Sequence, residues 1–152
     1  MAWRSKTPDL MDALVSAWRQ APSLEGTVVQ DGPFVDQSPT QRLLCVGWTG
    51  GDDETSVEGT LQQEGLARTP DREQITVRCA AAVLRGDTDA SAARRDVYEL
   101  MGAAGDVIAL DRTLGGVMRA SVGSHQMTWN QTKNGMQAIV VFEVTTDGYT
   151  GR

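Results

Sequence analysis

The chain has 152 residues, 40% of them hydrophobic and 22% charged, with a formal net charge of −6 from 20 acidic and 14 basic side chains. That length suits one globular domain that buries roughly 68–70% of its unfolded surface without disulfide or metal staples. The acidic balance argues against a simple non-specific nucleic-acid binder, which needs a basic face, and no run of 18 apolar residues is present to span a membrane.

The segment MAWRSKTPDLMDAL has neither a long apolar stretch nor a small-residue cleavage site, so it is not expected to be a secretory signal. A helix is predicted from about Pro8 to Ala21. Thr7 suits the N-cap and Pro8 the first helical position. Leu10, Met11, Leu14, Val15 and Trp18 then repeat on one buried face, which makes Trp18 a packing residue. Pro22 ends the helix.

Thr27–Gln30 is a short β-branched run closed by the turn Asp31-Gly32-Pro33. Arg42–Thr49 is apolar on both faces, as a central strand is. Gly50 to Glu54 is predicted to be a loop, Ser56–Gln62 an edge strand, and Gly65–Asp71 a loop. Glu73–Arg85 is a strand with Ile75, Val77, Cys79, Ala81 and Val83 on one face. Gly86-Asp87-Thr88-Asp89 is a turn placed to cap the next helix, Ala90–Leu110, whose core face is Val97, Leu100, Met101, Ala104 and Ile108. Gly102 and Gly105 each cost about 1 kcal/mol against Ala, and a bend or break is expected near Gly105-Asp106.

Asp111 to Gly116 follows as a turn. Val117–Lys133 reads as a long strand bent or bulged at Gly123, and Met136–Thr146 as its hairpin partner. Between them Asn134-Gly135 is a hairpin signal, because a type I′ turn needs positive φ at both central residues. The order predicts an α+β fold, with a mainly antiparallel sheet, two helices packed on one face and a C-terminal β-hairpin in a single domain spanning residues 1–152.

Chemical motifs are sparse. There is no GxGxxG, no GxxxxGK[ST] and no GxSxG. Cys45 and Cys79 are expected to be reduced and buried, and no metal site or cofactor is expected from two cysteines and one histidine. Ser124 and His125 are strand neighbours that point to opposite faces, so they do not read as a catalytic couple. Asp52, Asp53 and Glu54 lack the ligand spacing of a calcium loop. Catalysis is therefore not expected, and an assembly or binding role is.

Three segments in order resemble the tail terminator (minor tail, tail completion) proteins of long-tailed bacteriophages, the actinophage members above all. The first is the N-terminal amphipathic helix leading to Val29-Gln30-Asp31-Gly32-Pro33. The second, Leu43-Leu44-Cys45-Val46-Gly47-Trp48, is similar to an LxVG strand. The third runs from the strand opening at Glu73, through Gly86-Asp87 and a helix with Ala93-Arg94-Arg95, to Leu110-Asp111-Arg112-Thr113-Leu114-Gly115-Gly116, like LDxTLGG. The closing Asn-Gly hairpin fits as well. The resemblance covers roughly residues 8–146.

It implies a small α+β virion subunit, assembled in the host cytoplasm, that forms a hexameric ring. The ring caps the tail tube, stops polymerisation of the major tail tube protein and presents a surface to the head–tail connector or stopper. DNA passes through the lumen without specific binding, and no membrane or catalysis is involved. On this reading the expected subunit interface includes Asp111, Leu114, Gly115, Gly116, Arg94 and Arg95, with the Ser56–Gln62 edge also free to pair, and the expected lumen residues are Asp52, Asp53 and Glu54. The competing readings are another neck protein, a stopper or adaptor, and a small-ligand-binding or enzymatic α+β domain.

Overall fold

The computed structural model describes residues 4–33, 41–49, 55–62 and 71–150. The elements run α1 (Thr7–Gln20), a 3-10 turn (Pro22–Leu24), β1 (Val28–Asp31), β2 (Arg42–Val46), β3 (Val57–Gln62), β4 (Arg72–Arg85), α2 (Ala90–Leu110), β5 (Arg119–Thr132) and β6 (Gly135–Tyr149). The strands form one six-stranded sheet in the order β1-β2-β4-β6-β5, with β3 also on β4. Only β1 and β2 pair parallel. This is the expected α+β fold with its C-terminal hairpin.

Strand β4 organises the sheet. Its whole length pairs with β6, while its other side is shared, residues 72–77 taking β3 and residues 79–83 taking β2. Ile75, Val77, Cys79, Ala81 and Val83 do share one face, and they meet Ala138, Val140, Phe142 and Val144 of β6 under the two helices. Trp18 is fully buried there. Its indole N–H donates to the Ala104 carbonyl at 3.1 Å, and its ring lies 5.9 Å from Phe142 at a tilt of 56°. The opposite face carries a smaller apolar cluster of Leu43, Cys45, Ala80 and Ala82, flanked by Trp48 and Ile139.

The start of α1 departs from expectation. Thr7 is the first helical residue, the N-cap position is Lys6, and no side chain of that residue caps it. The partner is distant. Glu73, the second residue of β4 and 3% exposed, accepts from the Lys6 backbone N–H at 2.7 Å and from Ser5 Oγ at 2.6 Å. Ser5 Oγ in turn accepts from the Thr7 N–H at 3.1 Å. A carboxylate at the positive end of a helix dipole is stabilised there, and the Lys6 and Thr7 N–H groups are satisfied.

Helix α2 begins as expected, with the Asp89 side chain accepting from the Ala92 N–H at 3.0 Å. It does not break at Gly105 and is helical through Leu110. A Cβ on Gly105 would stand 3.5 Å from Val122 Cγ2 of β5, so the glycine sits where helix and strand come close. Of the predicted core face, Met101 is only partly buried, and Ala93 takes a buried place that was not foreseen.

The bulge in β5 is where Gly123 suggested. The register with β6 shifts between Val122 and His125, so Val122 pairs with Val144 and His125 with Phe142. One extra residue restores the parity, and His125, Met127 and Trp129 then lie on the helix side. The hairpin tip sits one residue earlier than expected. Thr132 pairs with Gly135, leaving Lys133 and Asn134 as the loop. Gly135 has φ +124, and among the described residues Leu114 is the one non-glycine with positive φ. Asn134 is therefore not in the left-handed state a type I′ turn would require. Instead Thr132 Oγ1 holds the turn, accepting from the Asn134 N–H at 3.1 Å and donating to the Gly135 carbonyl at 2.9 Å.

Candidate assembly surface

The expected interface residues fall into two separate places. Asp111, Leu114, Gly115 and Gly116 form a turn closed on itself at the C-terminal end of α2. The Asp111 carboxylate accepts from Thr113 Oγ1 at 2.7 Å, from the Gly115 N–H at 2.9 Å and from the Thr113 N–H at 3.1 Å. These bonds, the one from Thr113 Oγ1 first, hold its pKa below the usual carboxylate value. Leu114, at φ 50, is buried in the main core, and Gly115 and Gly116 have φ +75 and +92. The space around both glycines is open, but their backbone conformation strains any L side chain. A Gly116→Val variant therefore loses stability whether or not the turn touches a neighbour.

Arg94 and Arg95 stand exposed near the other end of α2, about 24 Å away at 1.5 Å per residue. Arg94 belongs to a cluster that its sequence neighbours did not announce. Its guanidinium carbon lies 5.9 Å from the centroid of the Trp129 ring. Trp129 is 44% exposed, and its indole N–H donates to the Ala90 carbonyl at 3.3 Å. Beside it Tyr98 Oη and His125 Nδ1 are 3.1 Å apart, with their rings edge to face. Trp, Tyr and Arg are the residue types enriched in interface hot spots.

This cluster borders β5, the outer strand of the sheet. From Ala120 to Thr132 the strand has no Asp, Glu, Lys, Arg or Pro, and residues 123–126 and 128–131 are exposed. No described strand pairs with its outer side. Soluble sheets ordinarily guard such an edge with charge, proline, a bulge or a covering element; of these, the described residues give β5 only the bulge. The opposite edge is shorter and has one carbonyl already bonded. Strand β1 is four residues long, and Arg19 of α1 reaches over it to donate to the Val29 carbonyl through Nε (3.2 Å) and Nη2 (3.0 Å). β3 is an edge as expected, exposed from Glu58 to Gln62. The expected lumen residues Asp52, Asp53 and Glu54 lie outside the described residues.

Three open grooves cross the described surface. One of about 450 Å³ is lined by Arg85, Asp87, Asp96 and neighbours, and Arg85 is bound to both aspartates, at 3.0 and 2.7 Å. Another of about 470 Å³ includes Arg78, Glu58, Glu143, Ser124 and His125. There Arg78 is paired with Glu58 at 3.1 Å and Glu143 at 3.7 Å, and His125 is turned to Tyr98. The third, about 300 Å³, lies between α1 and β1. Both cysteines are buried, and burial pushes each thiol up to about 12, so neither is a nucleophile near neutral pH. They sit on opposite faces of the sheet, Cys79 in the main core and Cys45 in the smaller cluster.

Three exposed carboxylates share one electrostatic signature. Asp87 is lowered chiefly by Arg85, Asp147 chiefly by its two-pronged bond to Arg72 (2.8 and 2.6 Å), and Asp111 by its turn. In each, the folded-state pKa is below the unfolded one. Their contribution is present above the ordinary carboxylate pKa and is lost as pH falls through the folded values. Urea midpoints are therefore expected to hold steady from neutral pH down to about pH 5 and to decline below about pH 4. Asp147→Asn should flatten that decline, and an equally steep one would refute the assignment.

No protein-family model matches the chain, and no curated protein sequence matches it. Among the described residues, no helix is long and apolar enough to cross a membrane.

Proposed function

We propose that this chain is a tail terminator of a long-tailed bacteriophage, a structural subunit whose ring caps the tail tube, stops its growth and joins the tail to the head connector. The observation that carries the reading is β5. A 14-residue edge strand, uncharged over its last 13 residues and exposed at 123–126 and 128–131, beside a Trp–Arg–Tyr cluster, is a surface suited to be covered by protein. The order of segments that prompted the resemblance supports it: an amphipathic first helix, a central strand opening at Glu73, a 21-residue helix, the Asp111–Gly116 turn and a closing hairpin. A ring of six copies at −6 each carries −36, which disfavours a grip on the duplex passing through it.

Deletion of the gene in a producing phage tests this. Electron microscopy of the lysate is expected to show tails of uncontrolled length that are not joined to heads. Tails of normal, uniform length would refute termination.

A further inference from the structure

The sheet register aligns its two edges row by row. Following the pairs across β1, β2, β4, β6 and β5, Val28 shares a row with Thr128, Val29 with Met127, Gln30 with Gln126 and Asp31 with His125. Likewise β3 lies on the rows of the first part of β5, with Val57 on the row of Val122 and Gly59 on that of Ala120. β1 and β3 run opposite to β5. A copy placed beside the molecule thus offers β1, in antiparallel sense, to the His125–Thr128 stretch of β5, with β3 set one strand further in.

The chemistry of the two edges is complementary on the helix side of the sheet. At the β5 edge Arg94 lies against the Trp129 ring and makes no ion pair among the described residues. At the β1 edge the third groove is lined by Asp12, Val15, Ser16, Arg19, Gln20 and Asp31. Its one cation, Arg19, is turned to the Val29 carbonyl, while Asp12 and Asp31 are exposed and have no ion-pair partner among the described residues. The acids are therefore in excess exactly where β5 of a neighbour would bring a cation. A two-fold contact of β5 with β5 would instead leave the acids of the α1–β1 groove without the cation.

We propose that the β5–α2 edge of one copy docks on the β1–α1 edge of the next, with the Trp129–Arg94 pair seated at the α1–β1 groove and Arg94 facing Asp12 and Asp31. The contact is heterologous, so a closing rotation makes a ring. It rests on the ring reading above and names the surfaces that reading needs.

The test uses the full chain and its charge reversals. Asp12 and Arg94 are both exposed, so substitution leaves the fold in place, as thermal melts will show. Sedimentation and native mass spectrometry from micromolar to millimolar concentration are expected to show self-association. Arg94→Glu alone and Asp12→Arg alone should each weaken it roughly tenfold or more, and the double variant should recover most of the loss. A chain monomeric to millimolar concentration, dimers that stop at two copies, or single reversals without effect would overturn the surface. Recovery in the double variant together with normal tails in the deletion lysate would refute the tail reading and leave the docking surface standing.

Discussion

Gly135→Ala is expected to lose on the order of 3–5 kcal/mol of stability, a cost that only a backbone clash or a major core defect produces. A Cβ at this position would overlap the Arg85 carbonyl oxygen, come within 2.7 Å of its carbonyl carbon and lie 2.9 Å from Gly86 Cα. All three atoms are main chain, so no side chain can swing aside. The φ of +124 adds its own strain. The neighbouring Met136 N–H donates to the Asp87 carbonyl at 3.1 Å, so relief would require pulling the hairpin tip away from the β4–α2 turn. Urea unfolding of the two proteins measures this directly. A loss below about 1 kcal/mol would mean that the tip is not seated against Arg85. Asn134→Ala serves as a comparison, since Asn134 is exposed and does not have positive φ; it should cost well under 1 kcal/mol.

Trp18→Ala is expected to cost about 3–5 kcal/mol. The side chain is fully buried between α1 and the sheet, next to Phe142, so its removal opens a cavity in the main core. Trp18→Phe separates the contributions. It keeps most of the apolar contact and gives up the bond to the Ala104 carbonyl, so it should lose about 1–2 kcal/mol. Equal losses in both variants would mean that the hydrogen bond, rather than the volume, holds α1 against α2.

What could be read in advance follows from how local the signal is. α2 matched from Ala90 to Leu110 because its cap, Asp89, and its apolar repeat lie within the same stretch. β4 and β6 were equally legible from alternation over more than ten residues. The hairpin was foreseen, but its tip was misplaced by one residue. Asn134-Gly135 favours a turn with both residues left-handed; the observed turn uses Thr132 Oγ1 and gives the positive φ to Gly135 alone.

Glu73 escaped because its partners, Ser5 and Lys6, are more than 60 residues away. Gly105 was read as a weakness in α2, since its propensity cost is local while its approach to Val122 is not. The candidate surface was the least legible part. Arg94 could be singled out, but Trp129 stands beside it only through the pairing of β5 with β6 and the packing of α2 on both. The alignment of β1 with His125–Thr128 requires the whole strand order.

The bond between Glu73 and the start of α1 also sets an order in time. Synthesis delivers α1 before β4, and a 14-residue helix is marginal in water by itself. Its apolar face has nothing to lie on until the sheet exists, and the carboxylate that closes its first turn arrives with β4. Until that strand, 68 residues beyond Ser5, is in place, the first turn of α1 lacks its carboxylate. Helix α1 is therefore expected to become fixed only once β4 has joined the sheet.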